Sequence, residues 1–429
     1  MSPNTTDLDP AMNGRKALVD FFARSLTAFQ SSKDAFRVVC TLPPRGETAG
    51  EASGEFSTST PAPAPRRPNR NDVKARPVTS LVVLDSSFNP PTLAHLRMAA
   101  SAVRDLQKGR STTTTTRGDG AGESSSGAAE EMGQRRAVRL LLLLAVNNAD
   151  KKPKPAAFEV RLGMMYAFAR DLRDEVRRRR VDGAEEEQRQ QQQKEEEDVE
   201  VDLGLTTMPY FHDKSQAISD TRFYARGDGG GEPEQVYLAG YDTLIRIFNP
   251  KYYNASSSSS SPGGTAVEEA EAPIRRALDP FLGRSRLRIT MRTDDEWGDE
   301  GEQVAYLESL RDGGLEDVGG RRAWAERVEM DRGRDEGEEV VSSTKVREAA
   351  SARDEEMLGR LVSARVKGWV LGEGLYPGDE GFVCCFVYDM RQVRRDVVDI
   401  GEWAHGLIVL LMDIIEPGNL VSFKRQQAI

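Results

Sequence analysis

The stretch that decides the fold runs from Ser80 to Met98 and reads SLVVLDSSFNPPTLAHLRM. Ser80–Asp85 is a short, continuous apolar run, the pattern of a strand covered on both faces, since a strand with one wet face would alternate. Pro90 and Pro91 punctuate a loop, and from Thr92 to Leu106 the apolar residues take helical spacing. Strand, loop and helix in that order open a βαβ unit, whose crevice lies at the carboxyl end of the strand. A helix start there presents unpaired N–H groups and the positive end of a dipole, a ready anion site. Thr92 and His95 are three apart and share a face within the first turn. A histidine in that position can donate to phosphate oxygens yet stay neutral enough not to oppose the dipole. A tight Pro-Pro turn with Thr92 as a simple N-cap and His95 part-buried accounts for the same residues without a ligand.

Further elements extend outward from this unit. Arg15–Phe29 carries Leu18, Phe21, Phe22, Leu26 and Phe29 at helical spacing and precedes a strand-like Phe36–Leu42. Arg139–Val146 reads as a second apolar strand of the βαβ series, Gln235–Ala239 as a third and Leu287–Arg292 as a fourth. Between them Glu159–Val176 is a helix with Val160, Met164, Phe168 and Leu172 four apart, and Thr243–Phe248 starts another. Thr344–Val362 and Lys367–Leu371 close the pattern as helices. Apolar strands alternating with helices predict an α/β fold with a parallel sheet covered on both faces.

The chain has 429 residues, of which 38% are hydrophobic. That fraction is low for a chain long enough to hold several domains, so much of it is expected to lie outside a core. Pro43–Pro77, Gly109–Arg135, Arg177–Glu200, Asn254–Ala272 and Asp299–Glu339 are rich in Pro, Ser, Thr, Gly, Gln or charge, and are expected to bury too little apolar surface to fold. The expected organisation is an N-terminal helix–strand element with a disordered linker over 1–77, and one α/β domain over 78–376. Insertions near 109–135, 177–200, 254–272 and 299–339 interrupt that domain, and 377–429 form a tail of unassigned role.

Several function classes are excluded. The net charge of −10 argues against a nucleic-acid or anionic-membrane binder. Three cysteines, Cys40, Cys384 and Cys385, make neither a disulfide framework nor a four-cysteine metal site. Only His95, His212 and His405 are available as imidazole ligands. The N-terminus, MSPNTTDLDP, has no apolar core of a signal peptide. The apolar runs Leu140–Val146 and Leu407–Ile415 fall short of the roughly 20 residues of a spanning helix. A cytoplasmic or nuclear protein without membrane attachment is expected; protein partners are not legible.

A second motif lies far downstream. Val340–Ala350 reads VVSSTKVREAA, where Ser342, Ser343 and Thr344 are natural N-cap residues. Lys345 and Arg347 then fall in the first turn of a helix, where cations oppose the macrodipole. A bound polyphosphate would reverse that penalty; a solvated helix start with unoptimised charges is the plainer alternative.

Phe88-Asn89-Pro90-Pro91-Thr92-x-x-His95-Leu96-Arg97, followed in order by Ser342-Ser343-Thr344-x-x-Arg347, resembles the two signatures of the nucleotidyltransferases related to nicotinamide mononucleotide adenylyltransferase, in a fungal-type branch. The resemblance covers about Pro77 to Tyr376. It implies a single Rossmann-like nucleotidyltransferase domain with ATP and nicotinamide mononucleotide as substrates and magnesium carried on the ATP phosphates. It places Ser86, Ser87, Phe88, Asn89, Thr92 and His95 about the ATP phosphates, and Ser342, Ser343, Thr344 and Arg347 about the departing pyrophosphate. Lys151 or Lys152, in Val146–Lys152, would face the mononucleotide phosphate. Arg161 and Met164 also match the pattern. In Leu238–Asp242 (LAGYD), Gly240 would let the ligand approach and Asp242 would accept from ribose or base. The family's ring-stacking tryptophan is missing, with Phe248, Tyr252 or Tyr253 as substitutes, and Ser86 stands where the family has glycine. These two departures keep a second expectation open, an ATP-binding regulator or ATPase of the same fold with weak or lost adenylyl transfer. No Lys-Met-Ser-Lys-Ser segment occurs, against an aminoacyl-tRNA synthetase relative.

Overall fold

Leu81, Val82, Val83 and Leu84 are all buried, and they alternate between two separate cores on opposite faces of one sheet. That alternation explains the continuous apolar reading of Ser80–Asp85. The computed structural model describes residues 10–43, 64–68, 78–108, 137–146, 156–181, 199–225, 231–253, 272–292, 297–332 and 340–377. All but Pro377 belong to one compact unit, Met1–Tyr376. Its strands are β1 (Phe36–Leu42), β2 (Val78–Asp85), β3 (Ala137–Ala145), β4 (Glu200–Thr206), β5 (Glu234–Gly240), β6 (Ser285–Thr290) and β7 (Val328–Asp331). Its helices are α1 (Pro10–Gln30), α2 (Leu93–Gln107), α3 (Phe158–Val181), α4 (Phe211–Asp220), α5 (Tyr241–Ile247), α6 (Pro273–Arg284), α7 (Glu300–Arg311), α8 (Ser343–Ser351), α9 (Glu355–Leu361) and α10 (Ala364–Gly372).

The sheet runs β1-β4-β3-β2-β5-β6-β7. From β4 to β7 every pairing is parallel; β1 alone is antiparallel, against β4. The six parallel strands thus follow the doubly wound order 3-2-1-4-5-6, whose switch point lies between β2 and β5. One face packs on α1, α2, α3 and the closing helices α8–α10, the other on α4–α7 and a 3-10 turn bearing Trp324. The α/β fold with a mostly parallel sheet agrees with the expected class. At Gly163 a side chain would drive its Cβ to 2.5 Å from Cη2 of Trp369, so glycine permits α3 and α10 to meet.

Two departures from the expected organisation stand out. The helix–strand element before residue 78 is part of the same sheet: β1 supplies an edge strand and α1 packs on α3. Residues 299–332, expected to be an unfolded insertion, carry α7 and β7. Asp299 caps α7 by accepting from Glu302 N at 2.8 Å, and Glu302 returns the bond to Asp299 N. Leu307, Leu310, Trp324 and Val328 are buried from this segment. Averaged composition hid those few anchors among exposed charges.

β4 and α4 were not anticipated. β4 (EVDLGLT) turns Val201, Leu203 and Leu205 into one core, while Asp202, Gly204 and Thr206 face the other way. That period-2 pattern is shorter and more polar than the runs that mark β2 and β3. The helix expected over 344–362 is two helices, broken where Arg353 takes φ +55° and Asp354 caps α9 through Met357 N at 2.9 Å. The stretches 109–135, nearly all of 254–272, and 182–198 of the insertion near 177–200 lie outside the described residues. Among the described residues, no helix is long and apolar enough to cross a membrane.

Candidate active site

The loop after β2 is built from the residues of the first motif. Asp85 ends the strand and is paired with Lys214 of α4, both largely buried. Ser86 donates its N–H to Leu143 O at 3.3 Å, tying the loop to the end of β3. Ser87 is exposed, whereas Phe88 is fully buried with φ +44°, a left-handed turn that sends its ring inward. That ring lies 5.9 Å from the His95 imidazole and 6.5 Å from Phe168. A cis peptide joins Asn89 to Pro90.

Thr92 caps α2, and its N–H donates to His95 Nδ1 at 3.1 Å. Histidine here takes the role glutamate or glutamine plays at the third position of a capping box. His95 Nε2 is 3.0 Å from Ser86 Oγ. Burial lowers the His95 pKa to about 4, so the ring is neutral at ordinary pH.

The second motif meets the first, although the bonded residues are 253 and 258 positions apart. Arg347 donates from one terminal nitrogen to Asn89 O at 2.9 Å and from the other to Thr344 Oγ1 at 3.0 Å. Ser343 Oγ donates to Pro90 O at 2.9 Å, while Ser342 Oγ caps α8 by accepting from Lys345 N at 3.2 Å. Tyr376 OH donates to Asn89 Oδ1 at 2.9 Å, so three donors from the C-terminal helical segment hold one turn. Burial pushes the Tyr376 phenol up, opposed by Arg161 and Arg347. The N-termini of α2 and α8 therefore open beside one loop at the carboxyl end of β2.

Across the switch point, Gly240 ends β5 and precedes α5. A Cβ there would come within 2.8 Å of Asp242 Oδ1 and 3.6 Å of Arg292 Nε. Asp242 is paired with Arg292 at 3.0 Å, a cation that the sequence reading did not single out. Gln303, fully buried on α7, holds Arg292 in place: its Oε1 accepts from Arg292 N at 3.0 Å and its Nε2 donates to Arg292 O.

The aromatic candidates separate by environment. Phe248 is buried against Trp324 at 6.3 Å, a core position. Tyr253 is buried, donates to Ile247 O at 2.6 Å and meets the His212 ring at 5.5 Å. Tyr252 is half-buried, with the Lys251 ammonium 4.9 Å from its ring. Beyond the carboxyl end of β4, Tyr210 stacks on His212 at 5.6 Å with planes 7° apart and is 39% exposed. Met164 is core, and Arg161 is buried with its Nε on Ala156 O at 2.8 Å. Lys151 and Lys152 lie outside the described residues. Among the described residues no cluster of three or more His, Cys, Asp or Glu forms a metal cage.

Hydroxyls, helix N-termini and guanidinium groups thus gather at the switch point of a doubly wound sheet. The class these features define is a Rossmann-like α/β domain with two helix starts opening on its crevice. In particular, the chain resembles the nicotinamide mononucleotide adenylyltransferases. It is 27% identical over 297 residues to a Schizosaccharomyces pombe protein named "Putative nicotinamide mononucleotide adenylyltransferase", an alignment spanning 69% of this chain and 85% of that protein. No protein-family model matches the chain. Among solved structures it is similar to the Plasmodium falciparum nicotinic acid mononucleotide adenylyltransferase complexed with NaAD. There the identity is 11%, the TM-score 0.33, and the match covers 70% of this chain and 97% of that one. The same enzyme complexed with APC matches at 8% identity and a TM-score of 0.30, with the same coverage.

Proposed function

We propose that this protein transfers the adenylyl group of ATP to nicotinamide mononucleotide, giving NAD and pyrophosphate. A 5′-phosphate oxygen of the mononucleotide attacks the α-phosphorus, and the bond from that phosphorus to the β-bridging oxygen breaks. No nucleophilic side chain is required; the protein aligns two anions and stabilises charge on the phosphoryl oxygens. His95 and the start of α2 serve the α- and β-phosphates. Arg347, Thr344 and the start of α8 receive the pyrophosphate, with magnesium riding on the ATP. Lys151 or Lys152 neutralises the attacking phosphate, and Gly240 and Asp242 line the nucleoside side of the crevice.

The observation that carries this reading is the contact between the two motifs, Arg347 on Asn89 O and Ser343 on Pro90 O, both at 2.9 Å. Two anion-binding helix starts are thereby brought to one strand end. The name of the S. pombe relative supports the choice of reaction. The test incubates purified full-length protein with magnesium, ATP and either nicotinamide or nicotinic acid mononucleotide, and identifies products by mass. NAD is expected. The deamidated dinucleotide in its place would move the substrate assignment to the nicotinic acid form. Inorganic phosphate alone, or binding without turnover, would replace the reading with an ATPase or a nucleotide-binding regulator.

A further inference from the structure

The hydrogen bonds around His95 favour one placement of its ring proton. Nδ1 lies 3.1 Å from Thr92 N–H, which can only donate, and 2.8 Å from Thr92 Oγ1, which can donate or accept, so a lone pair on Nδ1 is the arrangement that suits both groups. In a neutral ring the proton then sits on Nε2, the nitrogen 3.0 Å from Ser86 Oγ. Nε2–H therefore donates to Ser86 Oγ, and the serine hydroxyl keeps its own proton to donate elsewhere. Ser86 is half-buried at the carboxyl end of β2, next to exposed Ser87, and its backbone N–H is anchored on Leu143 O. The imidazole thus stands behind the hydroxyl, and a chain of bonds runs from Thr92 N–H through the ring to Oγ. Such a chain polarises its terminal O–H, which then donates more strongly to an anion.

We propose that the Ser86 hydroxyl is the donor that meets the nucleotide phosphate oxygens at the end of β2, and that His95 is a positioning residue acting through it. This rests on the adenylyl-transfer reading above. No proton leaves Oγ; the hydroxyl contributes a hydrogen bond that strengthens as phosphoryl charge builds. A glycine at this position would instead leave His95 Nε2 to reach the phosphate itself, so serine changes the identity of the contacting group.

The test uses the full chain as wild type, Ser86→Ala and Ser86→Thr. Dinucleotide formation and ATP affinity by calorimetry are followed for each. Loss of the hydroxyl is expected to lower kcat roughly 10- to 100-fold, the range of one hydrogen bond to a charged group, and to weaken ATP binding. Threonine, which keeps the hydroxyl, should restore most of both. Nitrogen-15 spectra of the three histidines should show His95 with its proton on Nε2, a signature that a merely structural serine would leave unconnected to turnover. An alanine variant as fast as wild type, or faster, would overturn the proposal while adenylyl transfer stands, as would a proton on Nδ1. If wild type forms no dinucleotide but its ATP affinity still falls in Ser86→Ala and returns in Ser86→Thr, the hydroxyl's role stands and the transfer reading fails. A wild type that binds no ATP removes both.

Discussion

At the scale of the residue, His95 shows how a capping position and a binding position can be the same atom set. Its Nδ1 completes the start of α2, and burial against Phe88 holds its pKa near 4. The unfolded ring takes up a proton near its ordinary value of 6.5, which the folded ring refuses until about 4. The unfolded state therefore binds more protons between those values, and stability must fall as pH drops through that window. His95→Gln keeps an acceptor for Thr92 N–H, as in an ordinary capping box, but cannot titrate. Urea unfolding at pH 8, 6 and 5 should show wild type losing stability relative to His95→Gln as the pH falls; parallel curves would contradict a buried neutral ring. Thr92 and His95 were legible because their relation is local, three residues on one helical turn. Lys214 beside Asp85 and Tyr376 on Asn89 were not, since their partners lie 129 and 287 residues away and no local pattern marks such pairs.

Among the elements, legibility followed burial. β2 and β3 lie inside the sheet, are covered on both faces and read as unbroken apolar runs, whereas β4, next to the edge, alternates and passes for loop. α7 was hidden by its own solubility: Glu300, Glu302, Glu308 and Arg311 surround the few residues that anchor it. Yet α7 bears on the crevice, because Gln303 satisfies both backbone groups of Arg292 and so aims that side chain at Asp242. Gln303→Leu fills similar space but leaves Arg292 N–H and C=O without those partners. Each such loss costs about 1–3 kcal/mol. With both bonds lost, denaturant unfolding of the variant should show a loss of about 2–6 kcal/mol, with a reduced nucleoside affinity as Arg292 loses its setting. An unchanged midpoint would mean that water replaces the glutamine at no cost and that α7 does not govern the loop after β6.

For the whole molecule, the long gaps between motifs matter less than the closure that the sheet imposes. Doubly wound order sends the chain outward in both directions from β2, and α8–α10 return across the face that carries α2 and α3. Composition alone marked out a single α/β domain without indicating that β1 and β7 would both join its sheet, because an edge strand owes its place to its pairing partner rather than to its own pattern. Closure brings Arg347 and Tyr376 to the same residue, Asn89, one on its carbonyl and the other on its side-chain oxygen. Groups that share a partner respond jointly, while distant independent sites add. Tyr376→Phe alone should lower stability by about 1–3 kcal/mol, since Asn89 Oδ1 is buried and loses a donor. Combined with Arg347→Lys, which cannot make both guanidinium bonds at once, the loss should depart from the sum of the single losses by at least about 0.5 kcal/mol. A double-mutant cycle on unfolding free energies measures that coupling directly. Strict additivity would mean that the turn at Asn89 is held independently from its two sides, and that the second motif and the chain beyond α10 do not set the first motif as one unit.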